Sequence, residues 1–432
     1  MGLLQYFGLA TNFSPLINPT QLGEAFANLR QRNQFASLTN IALAALVWTL
    51  CQTPSDKAAK PRLTKLLFAF FAAGLLAVGN AISSSRTGLF ELLLLCMVLA
   101  CWGLWRHVLV RPVLLCALAA YAVAVFAAPY LAGLDVSMYG AVSRLDKDTL
   151  CSSRLTLWSN VLHLIAQKPW LGWGWGELDY AHFVTLYNEP RFCDILDNAH
   201  NLPLHLAVEL GVPAAVLLCG GFAGWVLCQK PWAERDATRQ MAWAVMAVIL
   251  LHSLLEYPLW YGPFQMAFGL CVLLLWHSSK PLLGAENASK RALNKPLALM
   301  IRAQAAIILI AFIIYAAWDY RRISQLYLPP ESRAAAYRDD TLNKLRGSWL
   351  FADQVQFAEL LTTPLTPANA AWTLATAKQL LHYSPEARVV EKVIESAVIL
   401  GEDDEAAAYL ARYKAAFPKE HAVWAKTSQP PH

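Results

Sequence analysis

Long apolar runs alternate with short polar segments along the 432 residues. Many of the runs approach the ~20 residues that a helix needs to cross a bilayer. Eight stand out, at roughly 36–52, 64–82, 88–106, 112–133, 201–228, 239–256, 260–278 and 297–318. The sixth and seventh form one apolar stretch. Pro258 and Pro263, in EYPLWYGPF, break it into a helical hairpin, because proline lacks a backbone donor and clashes with the preceding turn. The pattern predicts an all-α fold, a polytopic transmembrane bundle of about eight helices. An outer N-terminal segment covers 1–35, helices one to four cover 36–133, and a large loop covers 134–200. Helices five to eight follow over 201–318, and a soluble α-helical domain over 319–432. Within that tail, segments near 331–346, 368–383, 386–400 and 402–416 have helical periodicity. GEDDEAAAYLARYKAAFP spaces its small residues like one tetratricopeptide-like helix and ends at Pro418.

Composition agrees with the pattern. The chain is 57% hydrophobic and 15% charged, against roughly 25% charged in an ordinary soluble domain. The formal charge of +5 is small and its lysines and arginines are scattered between spans, which points away from a nucleic-acid surface. Tryptophans and tyrosines often flank the spans, as interfacial anchors do.

Loop charges orient the helices. Lys57, Lys60, Arg62 and Lys65 follow the first span, and Arg106 and Arg111 the third. Lys230, Arg235 and Arg239 follow the fifth, and Lys280, Lys290, Arg291 and Lys295 the seventh. All four loops fall on one side, which the positive-inside rule makes cytoplasmic. The opposite side then holds the SSSRTG turn, the 134–198 loop, the EYPLWY turn and the tail. The N-terminus, MGLLQYFGLATNFSPL, lacks the basic flank and cleavage site of a signal peptide. An outer N-terminus is hard to insert unaided, and Arg30 and Arg32 there run against the charge rule. The chain is therefore expected to lack preceding helices.

The candidate chemistry gathers on that outer face. The stretch 197–211, DNAHNLPLHLAVELG, sets Asp197, Asn198, His200 and Asn201 where a polar loop meets an apolar run. Ionisable groups at membrane depth are costly, and a histidine moves protons near neutral pH. His200 is either a proton-handling residue or a helix cap. His205 completes an HxxxxH spacing, but no third or fourth ligand stands at convincing spacing, so no metal is expected. His252 and Glu256, four apart, read as a buried ion pair or as support for the site.

Arginines at Arg30/Arg32, Arg86 and Arg154 either snorkel to the interface or clamp phosphate through their planar forks. Three serines and Gly88 flank Arg86, a turn whose amides suit an anion. The alternating glycines of KPWLGWGWGELDYAHF follow no strand, so sugar stacking or interfacial anchoring fits better than nucleotide binding. Glu177, Asp179 and Glu189 read as solvated carboxylates. Seven cysteines lie in or beside spans, whereas Cys151 and Cys193 share the outer loop, where an oxidising compartment permits a disulfide.

The order SSSRTG, SSRLTLW, KPWLGWGWG, DNAHNLPLHLAVELG resembles the O-antigen ligase/polymerase superfamily of bacterial envelope enzymes. NLRQRNQFASL near the start and LLHSLLEYPLWYGPFQMAFG later resemble its protein O-oligosaccharyltransferase branch, whose members carry several helices before the first of these segments. The resemblance implies a metal-independent glycosyltransferase of the bacterial inner membrane, without cofactors, its active site facing the periplasm. It implies en bloc transfer of a glycan from undecaprenyl diphosphate to a serine or threonine of a periplasmic protein such as pilin. His200 would be the general base, Asp197 its orienting group, and Arg86, Arg154 and Arg30 or Arg32 the diphosphate clamp. Asn198, Asn201, His252 and Glu256 would support them. The alternatives keep the chemistry and change the acceptor, to lipid A–core or to another glycan repeat. A transporter of lipid-linked glycans is the reading from another class; it would place ionisable groups near the midplane, whereas these cluster on one face.

Overall fold

The computed structural model describes residues 1–29, 31–52, 63–134, 150–277 and 295–427. The chain divides into two compact units, Met1–Gly172 with Asn198–Lys280, and Trp173–Asp197 with Pro281–His432. The described residues are helical, with no strand among them.

The first unit opens with α1 (Gly2–Tyr6), α2 (Arg32–Cys51), α3 (Leu63–Ile82), α4 (Arg86–Cys101), α5 (Val110–Leu131) and α6 (Arg154–Gln167). The segment Trp173–Asp197, with α7 (Leu178–Val184), belongs to the second unit. The first unit then resumes with α8 (Leu202–Leu210), α9 (Val212–Gln229), α10 (Ala237–Ser253) and α11 (Gly262–His277). Its core joins Leu43 and Val47 of α2, Ala73 and Ala77 of α3, Leu92 and Leu95 of α4, Val113 and Leu114 of α5, and Met246 and Ile249 of α10. Small residues let helices approach closely. Gly88 marks one such approach, between α4 and α2, where an added Cβ would lie 2.4 Å from Ala36 Cβ.

Among the described residues, five helical stretches are long and apolar enough to cross a membrane: Arg32–Cys51, Leu63–Ile82, Val110–Leu131, Val212–Ala233 and Leu299–Tyr327. The eight spans read from the sequence differ in two ways. The helices in the third, sixth and seventh are only 16, 17 and 16 residues long. The fifth, read as 201–228, is two helices, because Gly211 takes φ 89° and ψ 159°. A backbone section of residues 169–172 crosses this break. Val212 N donates to Pro169 O at 2.8 Å, and an added Cβ on Gly211 would meet Trp170 O at 2.2 Å. Gly172, at φ +68°, is equally confined against Glu209 O at 2.3 Å. Only glycine combines positive φ with so close a backbone approach. One of the tryptophan-flanked glycines, Gly172, thus has a packing role that neither sugar stacking nor anchoring explains.

The second unit adds α12 (Lys295–Ile323), α13 (Thr341–Leu345), α14 (Ala352–Thr362), α15 (Ala370–Leu380), α16 (Ala387–Leu400), α17 (Asp403–Ala416) and α18 (Pro418–Thr427). The boundaries read from sequence therefore shift. The segment at 331–346 holds a 3-10 turn at Ala335–Tyr337 and the short α13, α14 was not foreseen, and Pro418, just past the end of α17, starts a further helix. Proline suits the first helical position, where its missing N–H has no partner to lose. Phe183 of α7 is buried with Leu374, Leu380, Val389, Val393 and Tyr413. Arg412 Nε donates to Val184 O at 3.0 Å, and His382 Nδ1 lies 2.7 Å from Glu177 Oε2. Part of the large loop is thus a component of the C-terminal helical unit. Cys151 and Cys193 are both disulfide-bonded, and the other seven cysteines are free thiols.

Candidate active site

Helix starts build the site. Gln31, Ser85, Ser153 and Asn201 cap α2, α4, α6 and α8, each accepting a hydrogen bond from a first-turn backbone N–H. The residue after each of the first three caps is an arginine: Arg32, Arg86 and Arg154. A cation at a helix N-terminus opposes the macrodipole. The arrangement costs some helix stability and doubles the attraction for an anion, since dipole and guanidinium carry the same sign.

His200 stands just before the Asn201 cap, at φ 50°, a conformation uncommon for residues other than glycine. Asn198 holds it there, its Oδ1 accepting from His200 N at 2.9 Å. Trp158 Nε1 donates to Ala199 O at 3.1 Å, and Asn201 Nδ2 to Leu254 O at 3.1 Å. The imidazole packs edge-on against Tyr257, ring centres 4.9 Å apart. Its Nδ1 lies 2.6 Å from Glu256 Oε2, with His200 26% and Glu256 7% exposed.

Glu256 is the hub. Its Oε1 accepts from Arg154 Nη2 and, at 2.9 Å, from Asn33 Nδ2. Arg154 Nη1 also donates to Leu255 O. Asn33 Oδ1 accepts from Ser85 Oγ at 2.7 Å, so the chain of contacts ends at the cap of α4, next to Arg86. Four helices and the turn after α10 thereby converge on one carboxylate.

Several sequence expectations change here. His252 and Glu256 are not a pair on one helix, because α10 ends at Ser253. His252 turns instead to Ser37 and Glu91. The carboxylate on His200 is Glu256, while Asp197 is exposed in the second unit. Arg154 is tied to Glu256, Arg32 lies 3.7 Å from Glu24, and Arg86 is exposed at the start of α4. Arg30 lies outside the described residues. His205, buried on α8, lies 3.5 Å from Glu209. Asn33 went unnoticed in the sequence, although NLRQRNQF contains it, and Ser85 was read only as part of the turn before Arg86. No group of three or more His, Cys, Asp or Glu among the described residues is placed to hold a metal ion.

The solvated reading also changes for Asp179, while Glu189 is exposed as expected. Burial, with Glu177 and Asp197 nearby, pushes the Asp179 carboxyl up to about 7. Burial, with Arg191 nearby, lowers His182 to about 3.

Three family profiles match this chain in succession. "Protein glycosylation ligase" covers residues 25–50, which include Asn33. "O-Antigen ligase" covers 68–219, from α3 through His200. "Virulence factor membrane-bound polymerase, C-terminal" covers 240–430, with Glu256 and the tail. Successive segments of the chain are thus similar to families of O-antigen ligase and protein glycosylation ligase type.

Two proteins of Acinetobacter baylyi are similar to this chain. A "ComP-specific O-oligosaccharyltransferase" is 25% identical over 285 residues, covering 65% of this chain and 49% of the relative. A "General O-oligosaccharyltransferase" is 24% identical over 258 residues, covering 58% of this chain and 43% of the relative. The chain thus matches less than half the length of either. No solved structure gives a significant match.

Proposed function

We propose that this chain carries the site of a protein O-oligosaccharyltransferase. It moves a glycan en bloc from undecaprenyl diphosphate to a serine or threonine of a periplasmic, pilin-like protein. The observation that carries the reading is the His200–Glu256–Arg154 constellation beside the arginine-bearing start of α4. The two O-oligosaccharyltransferase relatives favour a protein acceptor.

The chemistry follows from the charges. Glu256 takes the proton on His200 Nδ1 as a hydrogen bond, so Nε2 keeps its lone pair and serves as general base. The acceptor hydroxyl oxygen attacks the anomeric carbon as its proton passes to Nε2. The bond from that carbon to the diphosphate oxygen breaks, and its electron pair leaves with the diphosphate. Direct attack inverts the anomeric centre. Arg86, with the first-turn amides of α4 behind it, stabilises the departing charge. Arg154 holds Glu256 ionised and in place.

Reconstitution of this chain in liposomes with a lipid-linked oligosaccharide and a pilin acceptor tests the reading. The expected result is an acceptor mass increased by one whole glycan, abolished by His200→Ala. No His200-dependent mass shift sinks it. Modification of lipid A–core instead of protein moves the assignment to the ligase reading.

A further inference from the structure

Beneath the site lies a second set of polar side chains that the chemistry above does not use. Ser37 and Asn40 of α2, Asn80 of α3, Glu91 of α4 and His252 of α10 are each no more than 1% exposed. Ser37 Oγ donates to Glu91 Oε1 at 2.5 Å and lies 2.8 Å from His252 Nδ1. Asn40 Nδ2 donates to Glu91 Oε2 and to Gly88 O, both at 3.0 Å. Asn80 Nδ2 donates to Asn40 Oδ1 at 3.0 Å and to Gly88 O at 3.2 Å. Glu91 Oε1 lies 3.7 Å from His252 Nδ1.

This seam repeats the outer site one tier deeper. On α2, Asn33, Ser37 and Asn40 follow at i, i+4 and i+7, which puts them on one face. On α4, the Ser85 cap leads to Gly88 and then Glu91. Past the end of α10, Glu256 N still donates to His252 O at 2.8 Å, one turn above the seam. Each of α2, α4 and the α10 end supplies one outer and one inner contact.

A buried carboxylate is an expensive way to join helices, and apolar packing often serves as well. Apolar faces also tolerate sliding, because a displaced leucine still meets apolar neighbours. The Glu91 carboxylate meets Ser37 and Asn40 in one register only. A shift of one helix against another would orphan several buried polar atoms together. The seam is not a proton outlet for His200: between Glu256 and Ser37 stands only Asn33, whose side-chain amide donates to Glu256 and whose backbone carbonyl accepts from Ser37 Oγ, and an amide does not relay protons.

We propose that Glu91 is a positioning residue that sets the register of α2, α4 and α10, so that Asn33, the Ser85–Arg86 cap and Glu256 converge around His200; the proposal rests on the transferase reading above. The test compares Glu91→Leu with Glu91→Gln in full-length protein, in the reconstituted transfer assay. Glutamine keeps both contacts, its Nε2 donating to Ser37 Oγ and its Oε1 accepting from Asn40. Glu91→Leu should lower kcat about 10²-fold with donor KM little changed, the scale expected when a remote change misplaces reacting groups by about 1 Å. Glu91→Gln should restore kcat to within about threefold of the parent, because its geometry is kept.

A second measurement does not need activity. Cysteines introduced by Asn33→Cys and Ser85→Cys are joined by a short thiol crosslinker, and the product is identified by peptide mapping. Crosslinking should be about tenfold slower when Glu91→Leu is added. If the parent transfers no glycan, the transferase reading fails while crosslinking still decides the register. Parental crosslinking rates in the Glu91→Leu background overturn the positioning role. So does parental kcat in Glu91→Leu, or a kcat in Glu91→Gln as low as in Glu91→Leu.

Discussion

His200 and Glu256 stand 56 positions apart in the chain, and Nδ1 of one lies 2.6 Å from Oε2 of the other. The contact ties the turn before α8 to the turn after α10, and the proposed mechanism gives the two imidazole nitrogens different tasks. His200→Ala should cut glycan transfer by roughly 10²–10⁴, the usual worth of a general base. Glu256→Gln should cost about 10² or more, because a neutral amide no longer selects the right tautomer. His200→Ala should leave the melting temperature in detergent unchanged. Near-normal transfer by folded His200→Ala protein would remove the base from the mechanism.

The arginines should separate by kinetic parameter. Arg86, exposed at the start of α4, is assigned to the diphosphate. Arg86→Lys keeps charge but loses the planar fork. Its kcat/KM for the lipid donor should fall about 10²-fold. Arg154 grips Glu256 and Leu255 O, so Arg154→Lys should lower kcat with donor KM nearly unchanged. Titration of both variants with donor decides this. Identical profiles would mean that one role covers both residues.

The crossing at the α8–α9 break should be sensitive to a single methyl group. Gly211→Ala forces a positive φ on alanine and drives its Cβ into Trp170 O. A loss of about 1–3 kcal/mol is expected from the backbone conformation alone. Gly176, at φ +78° with nothing within 4 Å of its would-be Cβ, is the control. Gly176→Ala should cost less, about 1 kcal/mol. Thermal unfolding of the two variants should therefore rank Gly211→Ala below Gly176→Ala; the reverse order would discredit the crossing.

The second unit should show a pH-dependent effect at Asp179. Its carboxyl, raised to about 7 in the fold from an ordinary 3.8, binds its proton more tightly folded than unfolded. That group therefore loses stability as pH rises from about 4 to 7. His182, lowered to about 3 from 6.5, acts oppositely, losing stability as pH falls through that range. Asp179→Asn removes only the first effect and keeps an oxygen for Tyr180 N, which Asp179 Oδ1 accepts at 2.7 Å. The variant should melt roughly 2–4 °C above the parent at pH 8, and level with it near pH 4. A pH-independent difference would show that burial of Asp179 is not the cause.

The candidate chemistry was proposed from local signals. Caps, arginines and the polar cluster around His200 are short-range features, and they appeared as DNAHN, SSSRTG and SSRLTLW. Partner choice was not legible. Glu256 sits four residues after His252, a spacing that suggests one helical face, yet the helix ends between them. Asn33 carries no charge and forms no motif alone, so nothing local marked it as the bridge between Glu256 and Ser85.

By itself, then, the sequence determined the helical membrane architecture, since the bilayer demands long apolar runs with internally satisfied backbones. It also singled out a candidate base and candidate arginines, because ionisable groups at a membrane surface are too costly to be casual. Only the tertiary structure decided which carboxylate holds His200 and that part of the large loop belongs with the tail. It alone broke the fifth span at Gly211. Each of these outcomes depends on groups far apart in the chain meeting within hydrogen-bond or van der Waals distance, and hydrophobic periodicity carries no record of that.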